Sequence, residues 1–283
     1  MRIAVTADLH WGLSRKGDRA TRALADHVRD LAPDVFAIAG DVGEGEEWRR
    51  CLRQFESIEA VRLVIPGNHD LWVRGLGASS LDVYERRLPA HAVEMGFLYL
   101  DRTPWTKDDL AILGSVNWYD YSFADPELLH DFPDAEQMYR AKLFPRGAHN
   151  DGRYVHLGMS DGTFTERLVE KFRAQLARQP ETARILVIQH HPPVRELFYP
   201  TALTTPDQLF WLAYTGNRRM QDAVLNDPRV FAVFCGHTHA ACEAEVHGKL
   251  CVNVGGDYDF KRLVLLETET MAMESWVFTG EKG

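Results

Sequence analysis

Five short apolar runs, each ending in a small cluster of polar residues, constrain the fold of this chain more than any other feature of its sequence. They cover residues 3–7, 35–39, 61–65, 185–188 and 230–235. Their lengths and their β-branched content are typical of buried strands. In open α/β sheets, ligands collect where the carboxyl ends of the strands meet. The sequence therefore predicts that five separate strands carry their polar residues to one rim of the fold.

The order of the apolar runs predicts a mixed α/β fold. Helix-like segments at about 17–30 and 46–57 alternate with the first three runs, which is typical of βαβ units. Later apolar runs lie at 111–113, 250–254 and 263–266. The late strands are closely spaced, and turn residues such as His247 and Gly248 favour antiparallel hairpins between them. We therefore expect two packed mixed β-sheets with helices.

Two aromatic-rich stretches, at about 117–162 and 192–217, interrupt this succession of strands and helices. A long irregular stretch inside a compact domain is usually a lid or a binding loop. The alternative interpretation is that the aromatic side chains only pack the insertions onto the core or form a dimer contact. The sequence shows no internal repeat, no low-complexity tract and no clear linker. We therefore predict a single domain over residues 1–283, in which the two insertions cap the site at the strand ends.

With 283 residues, a formal net charge of −9 at pH 7 and 45% hydrophobic residues, the composition of the chain is that of a soluble globular protein. The acidic balance counts against broad binding to nucleic acid or to an anionic membrane, since both need a basic face. No stretch approaches the ~20 apolar residues of a membrane span, and the N-terminal apolar run is too short for a signal sequence. The four cysteines form no close pair, so neither a zinc–thiolate site nor a redox motif is indicated. We therefore expect a cytoplasmic protein.

The polar residues at the strand ends are of the types that bind divalent transition metals. They are Asp8 and His10, Asp41, Asn68 and His69, His190 and His191, and His237 and His239. Taken singly, an aspartate after a strand is more often a cap or turn residue, and an isolated histidine is more often structural. Together they include six of the chain's twelve histidines, and glycine directly precedes the polar cluster at Gly40, Gly67 and Gly236. These are too many candidate ligands for one tetrahedral ion, and imidazole with carboxylate suits two ions of Zn, Mn, Fe or a similar metal sharing a carboxylate.

This motif set resembles that of the calcineurin-like metallophosphoesterase superfamily. The matching motifs are Asp8-x-His10, Gly40-Asp41, Gly67-Asn68-His69-Asp70, His190 and Gly236-His237-x-His239. They span most of the chain, from residue 8 to residue 239. The resemblance implies an α/β fold of four layers, in which two mixed β-sheets pack as a sandwich flanked by helices. It also implies a metal-dependent hydrolase that cleaves a phosphate ester with a hydroxide bridging two metal ions.

The resemblance implies a role for each matching residue. The first metal would be bound by Asp8, His10 and His239, and the second by Asn68, His190 and His237. Asp41 would bridge both metals and so take part in catalysis. His69 would face the substrate rather than a metal, and would stabilise developing charge or protonate the leaving alkoxide. The two ions would be divalent or trivalent, and Mn, Fe, Zn, Co and Ni are all compatible with these ligands.

The motif set leaves three assignments open. His191 adjoins His190, and we take His190 as the ligand because it comes first after the strand. In many relatives the Gly-Asp motif continues to Asp-Arg-Gly, whereas here it continues to Val-Gly-Glu-Gly, which puts a role for Glu44 in orienting His69 in doubt. Asp70 either fills that role or only caps a turn. The candidate substrate contacts are Asn68, His191, Asn117 and Trp118.

Within the phosphoesterases, the aromatic stretch at 117–162 favours a phosphodiester, because its rings could stack on a nucleobase. A phosphomonoesterase or a nuclease could use the same site. A catalytically silent scaffold of the same fold is the alternative from another class, and it is disfavoured because every motif position, including His69, is retained. We expect a small anionic phosphate ester as the partner, rather than nucleic acid or a membrane. The sequence leaves the oligomeric state open.

Overall fold

The computed structural model describes residues 1–75, 77–126, 128–198 and 205–281. The strands are β1 (Arg2–Thr6), β2 (Val35–Ala39), β3 (Val61–Ile65), β4 (Leu98–Tyr99), β5 (Trp105–Lys107), β6 (Leu110–Ser115), β7 (Leu143–Phe144), β8 (Gly147–Ala148), β9 (Arg184–Gln189), β10 (Val230–Cys235), β11 (Cys242–Val246), β12 (Lys249–Asn253), β13 (Phe260–Glu267) and β14 (Met273–Thr279). The helices are α1 (Arg15–Leu31), α2 (Glu46–Arg53), α3 (Ser80–Asp82), α4 (Leu88–Glu94), α5 (Leu128–Asp131), α6 (Ala135–Arg140), α7 (Asp151–Tyr154), α8 (Asp161–Ala177), α9 (Pro206–Trp211) and α10 (Arg218–Leu225).

Two six-stranded mixed sheets form the frame of the fold. The first has the strand order β14-β13-β1-β2-β3-β4, and the second has the order β11-β12-β10-β9-β6-β5. In each sheet four adjacent strands run parallel, and the other two join through antiparallel pairings. The predicted α/β fold with two mixed sheets is therefore confirmed. The turn at His247 and Gly248 does join an antiparallel hairpin, but its strands are β11 and β12, whereas the predicted strands at 230–235 and 250–254 pair in parallel because β11 comes between them in the sequence.

The two sheets pack face to face, with helices on their outer faces. Alternate residues of β1 and β2, such as Val5 and Ala37, join residues of β9 and β10, such as Ile188 and Phe234, in one apolar cluster between the sheets. The residues that alternate with them join the helices in separate clusters on either side. Strands buried on both faces read as continuous apolar runs, and for this reason the sequence revealed the central strands clearly.

Helix α1 shows how local sequence sets these outer layers. The Ser14 side chain accepts a hydrogen bond from the Gly17 backbone N–H and caps the helix N-terminus. Its buried face includes Ala20, Leu24 and Val28, which are spaced four residues apart and so lie on one side of the helix. This face packs against β13 and β14. The predicted segment at about 17–30 therefore forms a helix that covers the first sheet.

The first aromatic stretch is less irregular than the sequence suggests, because it holds the short helices α5 to α7 and the small β7–β8 hairpin. Its rings at Trp118, Tyr119 and Phe123 are fully buried. Glu127 of this stretch and residues 199–204 of the second lie outside the described residues. Within the described ranges, the helices are all too short or too polar to cross a membrane. The single-domain prediction and the capping role of the insertions stay predictions.

Candidate metal centre

The backbone turns sharply where the polar residues follow the strands. Five of them adopt a left-handed conformation with positive φ: Asp8 (56°), His10 (43°), Asp41 (52°), His237 (74°) and His239 (58°). This region is uncommon for residues with a side chain, and such strain clusters at functional sites. Cross-loop hydrogen bonds hold the turns in place, since His10 donates its backbone N–H to the Asp41 carbonyl at 2.8 Å and His237 donates its own to Oδ1 of Asp8 at 3.0 Å.

One group of donor atoms gathers beside β1. Asp8, His10, Asp41 and His239 each offer a ligand atom, and these four atoms all lie within 4.8 Å of one another. Nε2 of His10 is 3.0 Å from Nε2 of His239 and 3.6 Å from Oδ2 of Asp41. The residues predicted to bind the first metal therefore lie together.

A second group surrounds the side-chain oxygen of Asn68. Its Oδ1 lies 3.1 Å from Nε2 of His190 and 3.2 Å from Nδ1 of His237. Each imidazole uses its other nitrogen to reach a backbone carbonyl, His190 at Ala39 and His237 at Tyr214. Metal-binding histidines usually donate their second N–H in this way, which fixes the tautomer and aims the free nitrogen. The predicted second set also lies together.

Asp41 lies between the two groups. Its Oδ2 faces His10, and its Oδ1 is 3.3 Å from Nε2 of His190. Burial would raise the pKa of Asp41, but the imidazoles of His190 and His69 more than offset this and hold the pKa well below its usual range. The carboxylate is therefore ionised at neutral pH and presents one oxygen to each group.

His10, His237 and Asp8 have lone pairs available that a bound cation could accept. Burial lowers the pKa of His10 and of His237 well below the usual value, so both are neutral at pH 7 and have a lone pair available. Oδ2 of Asp8 is buried without a hydrogen-bond partner among the described residues. An unsatisfied buried oxygen is costly, and a cation would relieve that cost. The donor set of imidazole, carboxylate and amide oxygen suits a borderline transition metal.

Three glycines make room for this arrangement. A Cβ at Gly236 would lie 2.6 Å from Oδ2 of Asp8, and one at Gly40 would lie 2.5 Å from Nδ1 of His190. A Cβ at Gly67 would clash with Oδ1 of Asp41. The sequence predicts that glycine permits close backbone approach at these turns. The structure gives the reason: neighbouring side chains occupy the space that a Cβ would need.

His69 lies at the edge of the centre, where its ring packs edge-on against that of His10 with 4.7 Å between centroids. Its Nε2 is 3.9 Å from Oδ2 of Asp41, and its ring lies 3.8 Å from the Trp72 indole, with 21° between the planes. Its side chain is 13% exposed, whereas that of Asp41 is 1% exposed. His69 is thus placed where it can meet a bound molecule.

Neither acidic neighbour of His69 orients it through a hydrogen bond. Asp70 accepts hydrogen bonds from the backbone N–H groups of Gly43 and Gly67, at 2.9 and 2.8 Å, and so ties two loops together. Burial raises the pKa of Asp70 to about 8. Glu44 pairs with Arg74 at 2.8 Å. Nδ1 of His69 has no hydrogen-bond partner among the described residues.

Three of the candidate substrate contacts are fully buried behind the centre. His191 donates its Nδ1–H to the Val116 carbonyl, and Asn117 donates its amide to the His191 carbonyl at 3.0 Å. Trp118 donates its indole N–H to Asp161 at 2.8 Å. These bonds support the loops, and a contact of these three side chains with substrate stays a prediction.

An open cleft of about 530 Å³ leads to the centre. Asn68, His69, His237 and His239 lie at its floor, together with Asp41. Its walls are formed by Trp72, Arg74, His149, Asn150, Tyr154, Trp211 and Tyr258. His149, Asn150 and Tyr154 come from the first aromatic stretch, and Trp211 comes from the second.

The residue that sequence reasoning missed is Asp151. Its carboxylate is 1% exposed and accepts hydrogen bonds from the Asn68 amide at 3.0 Å, the Trp72 indole at 2.7 Å and the Tyr119 hydroxyl at 2.8 Å. Burial would raise its pKa, but His149 and the hydrogen bonds from Asn68 and Trp72 lower it below the usual value. No motif marks this position, and its partner Asn68 is 83 residues away.

Comparison with known proteins agrees with this arrangement. The family profile described as calcineurin-like phosphoesterase matches residues 1–241. Phosphopantetheinyl hydrolase (PptH) from Mycobacterium tuberculosis is 21% identical in sequence, with a TM-score of 0.69 over 90% of this chain and 89% of that chain. TT1561 of Thermus thermophilus is 10% identical with a TM-score of 0.59, and a dimetal phosphatase from Danio rerio is 13% identical with a TM-score of 0.56, each over 99% of both chains.

At identities this low, the solved structures show a shared fold and nothing more. No curated protein sequence matches the chain. The family profile covers most of the chain, however, and the described residues bring a buried cluster of aspartate and histidine to the rim that its motifs predict. The chain therefore belongs to the calcineurin-like phosphoesterase family and is a metallophosphoesterase.

Proposed function

We propose that the chain hydrolyses small phosphodiesters at a centre of two metal ions. The observation that carries this proposal is the position of Asp41, whose two oxygens face two separate groups of donors, one at His10 and the other at His190. A single mononuclear site would not need a shared carboxylate between two sets of ligands. Two ions with one bridging carboxylate use every donor in the cluster.

The side chains that would hold the metals divide as the resemblance implies. Asp8, His10 and His239 would hold one ion, Asn68, His190 and His237 the other, and Asp41 would touch both. When bound, such a pair of ions supplies Lewis-acid chemistry, by neutralising phosphoryl charge and lowering the pKa of water. The ligands suit Mn, Fe, Zn, Co or Ni, and metal analysis of the purified protein decides among them.

His69 would act on the leaving group. Its ring lies at the floor of the cleft, beside the carboxylate of Asp41, and stacks on the Trp72 indole. Hydrolysis of an ester leaves an alkoxide that needs a proton, and a positioned imidazole can supply it. In this role His69 stabilises charge in the transition state and does not bind metal.

The charge of the cleft favours a diester over a monoester. A monoester carries an additional ionised oxygen, which usually needs a cationic side chain beyond the metals. Among the described lining residues Arg74 is the one lysine or arginine, and it already pairs with Glu44. A diester has no third free oxygen to neutralise and needs room for a second substituent, which the open cleft provides.

The cleft walls favour a substituent with a planar or apolar portion. Trp211 lies nearly parallel to the His237 ring, 6.0 Å between centroids, and Tyr154 packs on Trp72 at 4.9 Å. Such rings can stack on a nucleobase or pack against an aliphatic arm. Because both insertions contribute to these walls, we propose that they cap the site and select the substrate.

A substrate panel with metal-reconstituted protein tests the proposal. It should contain a generic aryl phosphodiester, cyclic nucleotides, glycerophosphodiesters, dinucleotides, phosphomonoesters and DNA. Phosphopantetheinyl esters join the panel because phosphopantetheinyl hydrolase is a structural neighbour. We expect turnover of diesters to exceed that of monoesters. A preference for monoesters would overturn the diester assignment. Steep salt-dependent binding of DNA would favour a nuclease. A metal-loaded protein that turns over none of these substrates would favour a catalytically silent scaffold.

A further inference from the structure

Asp151 connects the first aromatic stretch to the metal centre through one buried carboxylate. Its Oδ1 accepts hydrogen bonds from both the Asn68 amide and the Trp72 indole, and its Oδ2 accepts one from the Tyr119 hydroxyl. Asn68 belongs to the proposed ligands, whereas Trp72 stacks on His69. Asp151, which does not line the cleft, thus contacts both a proposed metal ligand and the ring beneath His69.

The contact with Asn68 decides which end of its amide faces the centre. An asparagine side chain has one donor end and one acceptor end of nearly the same size. The buried carboxylate can only accept, so the Nδ2 end must face Asp151. The Oδ1 end is then directed at His190 and His237, where a cation needs an oxygen. In the flipped orientation an amide N–H would face the cation and repel it.

The contact with Trp72 supports His69, the proposed acid. The indole N–H donates to Asp151 at 2.7 Å, which fixes the position of the indole nitrogen. The His69 imidazole stacks on the face of this indole, with 3.8 Å between the ring centroids. The same oxygen of Asp151 therefore sets both the ligand amide and the support under His69.

We propose that Asp151 is a positioning residue of the metal centre: it orients the Asn68 amide toward the second metal and holds Trp72 beneath His69. This inference rests on the proposed two-metal function. It assigns to the insertion a part in building the centre, in addition to shaping the substrate cleft. Partners behind the ligands typically change metal affinity by 10–100-fold when they are removed.

The test compares three variants by stepwise metal titration and by thermal unfolding. Asp151→Ala removes both acceptor oxygens. Asp151→Asn keeps one carbonyl oxygen that can still accept from Asn68 and Trp72, and so serves as the conservative rescue. Asp161→Ala is the matched control, because Asp161 lies at the end of the same stretch and accepts hydrogen bonds from Trp118, Tyr121 and Lys142 instead of from the centre.

We expect Asp151→Ala to bind one of two metal equivalents roughly 10–100-fold more weakly, with the other unchanged, and Asp151→Asn to recover most of that loss. Asp161→Ala should lower the melting temperature but keep both affinities. Equal weakening of both sites, or weakening in Asp161→Ala to the same degree, would mean that Asp151 is only structural. Unaltered titration of Asp151→Ala would overturn the inference directly. If the wild-type protein itself bound a single metal, the two-metal proposal would fail first, a result distinct from these.

Discussion

The imidazole of His69 stacks on the indole of Trp72, with 3.8 Å between ring centroids and 21° between ring planes. The stack leaves the imidazole edge directed along the cleft floor, where Nε2 lies 3.9 Å from Oδ2 of Asp41. His69 is supported from behind by the indole and lines the cleft in front, as a group that acts on substrate must.

His69→Ala should therefore retain both metals and lose most turnover. A positioned acid contributes roughly 10²–10⁴-fold to the rate, and we expect a loss of kcat in that range on alkyl esters. Esters with a good leaving group need less protonation and should lose less. The measurement is kcat for a matched series of leaving groups, with metal content assayed in parallel. Wild-type kcat on every active substrate would refute the assignment.

Asp41→Asn should lose metal as well as activity. The amide keeps the size of the side chain but presents one neutral oxygen and one N–H group, so it cannot offer an anionic oxygen to both donor groups. We expect at most one tightly bound metal per chain and a loss of kcat/KM greater than that of His69→Ala. Metal analysis after dialysis gives the stoichiometry. Two retained equivalents would show that Asp41 does not bridge.

Gly67→Ala should damage the centre although it removes no functional group. The new Cβ would clash with Oδ1 of Asp41, and overpacking of this kind typically costs about 1–3 kcal/mol. We expect weaker metal binding and a lower melting temperature. Gly162→Ala is the control, because a Cβ there meets open space. Equal behaviour of the two variants would contradict the steric explanation.

Removal of the metals should lower thermal stability, and their return should restore it. A ligand at 100 times its dissociation constant stabilises the folded state by about 2.7 kcal/mol. Melting curves of the wild-type protein with increasing Mn or Zn should therefore shift upward with the metal concentration. The Asp41→Asn variant should shift much less. A wild-type melting temperature that is independent of metal and of chelator would count against the centre.

The ion pair between Asp227 and Arg229 should make stability fall in acid. Hydrogen bonding to Arg229 lowers the pKa of Asp227 below its usual value. Because the folded pKa is below the unfolded one, the stabilisation is complete above the unfolded pKa of ~3.9 and disappears as the pH falls through the folded value. Asp227→Asn should cost up to about 1 kcal/mol at pH 7. Urea unfolding at pH 7 and below pH 4 should show this difference shrinking, and a constant difference would contradict the pairing.

The sequence predicted the central strands and the loops that follow them, because both leave strong local signals. Strands buried on both faces are apolar along their whole length, as at 35–39 and 230–235. The edge strands β11 and β14 were not predicted, because they alternate with exposed polar residues such as Glu243 and Glu274. Helix α8 was not predicted either, although it packs against the second sheet. The cytoplasmic location inferred from composition stays a prediction.

Within the site, the sequence predicted which motif residues lie together, because each motif follows a strand that ends at the same rim. It could not predict Asp151, because this residue acts through side chains that are distant along the chain. It also left the partners of Glu44 and Asp70 open, since only the folded chain shows that one pairs with Arg74 and the other ties Gly43 to Gly67.

The crowding around Gly40, Gly67 and Gly236 bears on how this chain can vary over evolutionary time. A histidine or an aspartate of the centre is constrained by the donor atoms that it must present. The three glycines are constrained by space, because every other amino acid brings a Cβ into a position that a neighbouring side chain already fills. Some of the least replaceable positions in this protein are therefore ones that carry no side chain at all.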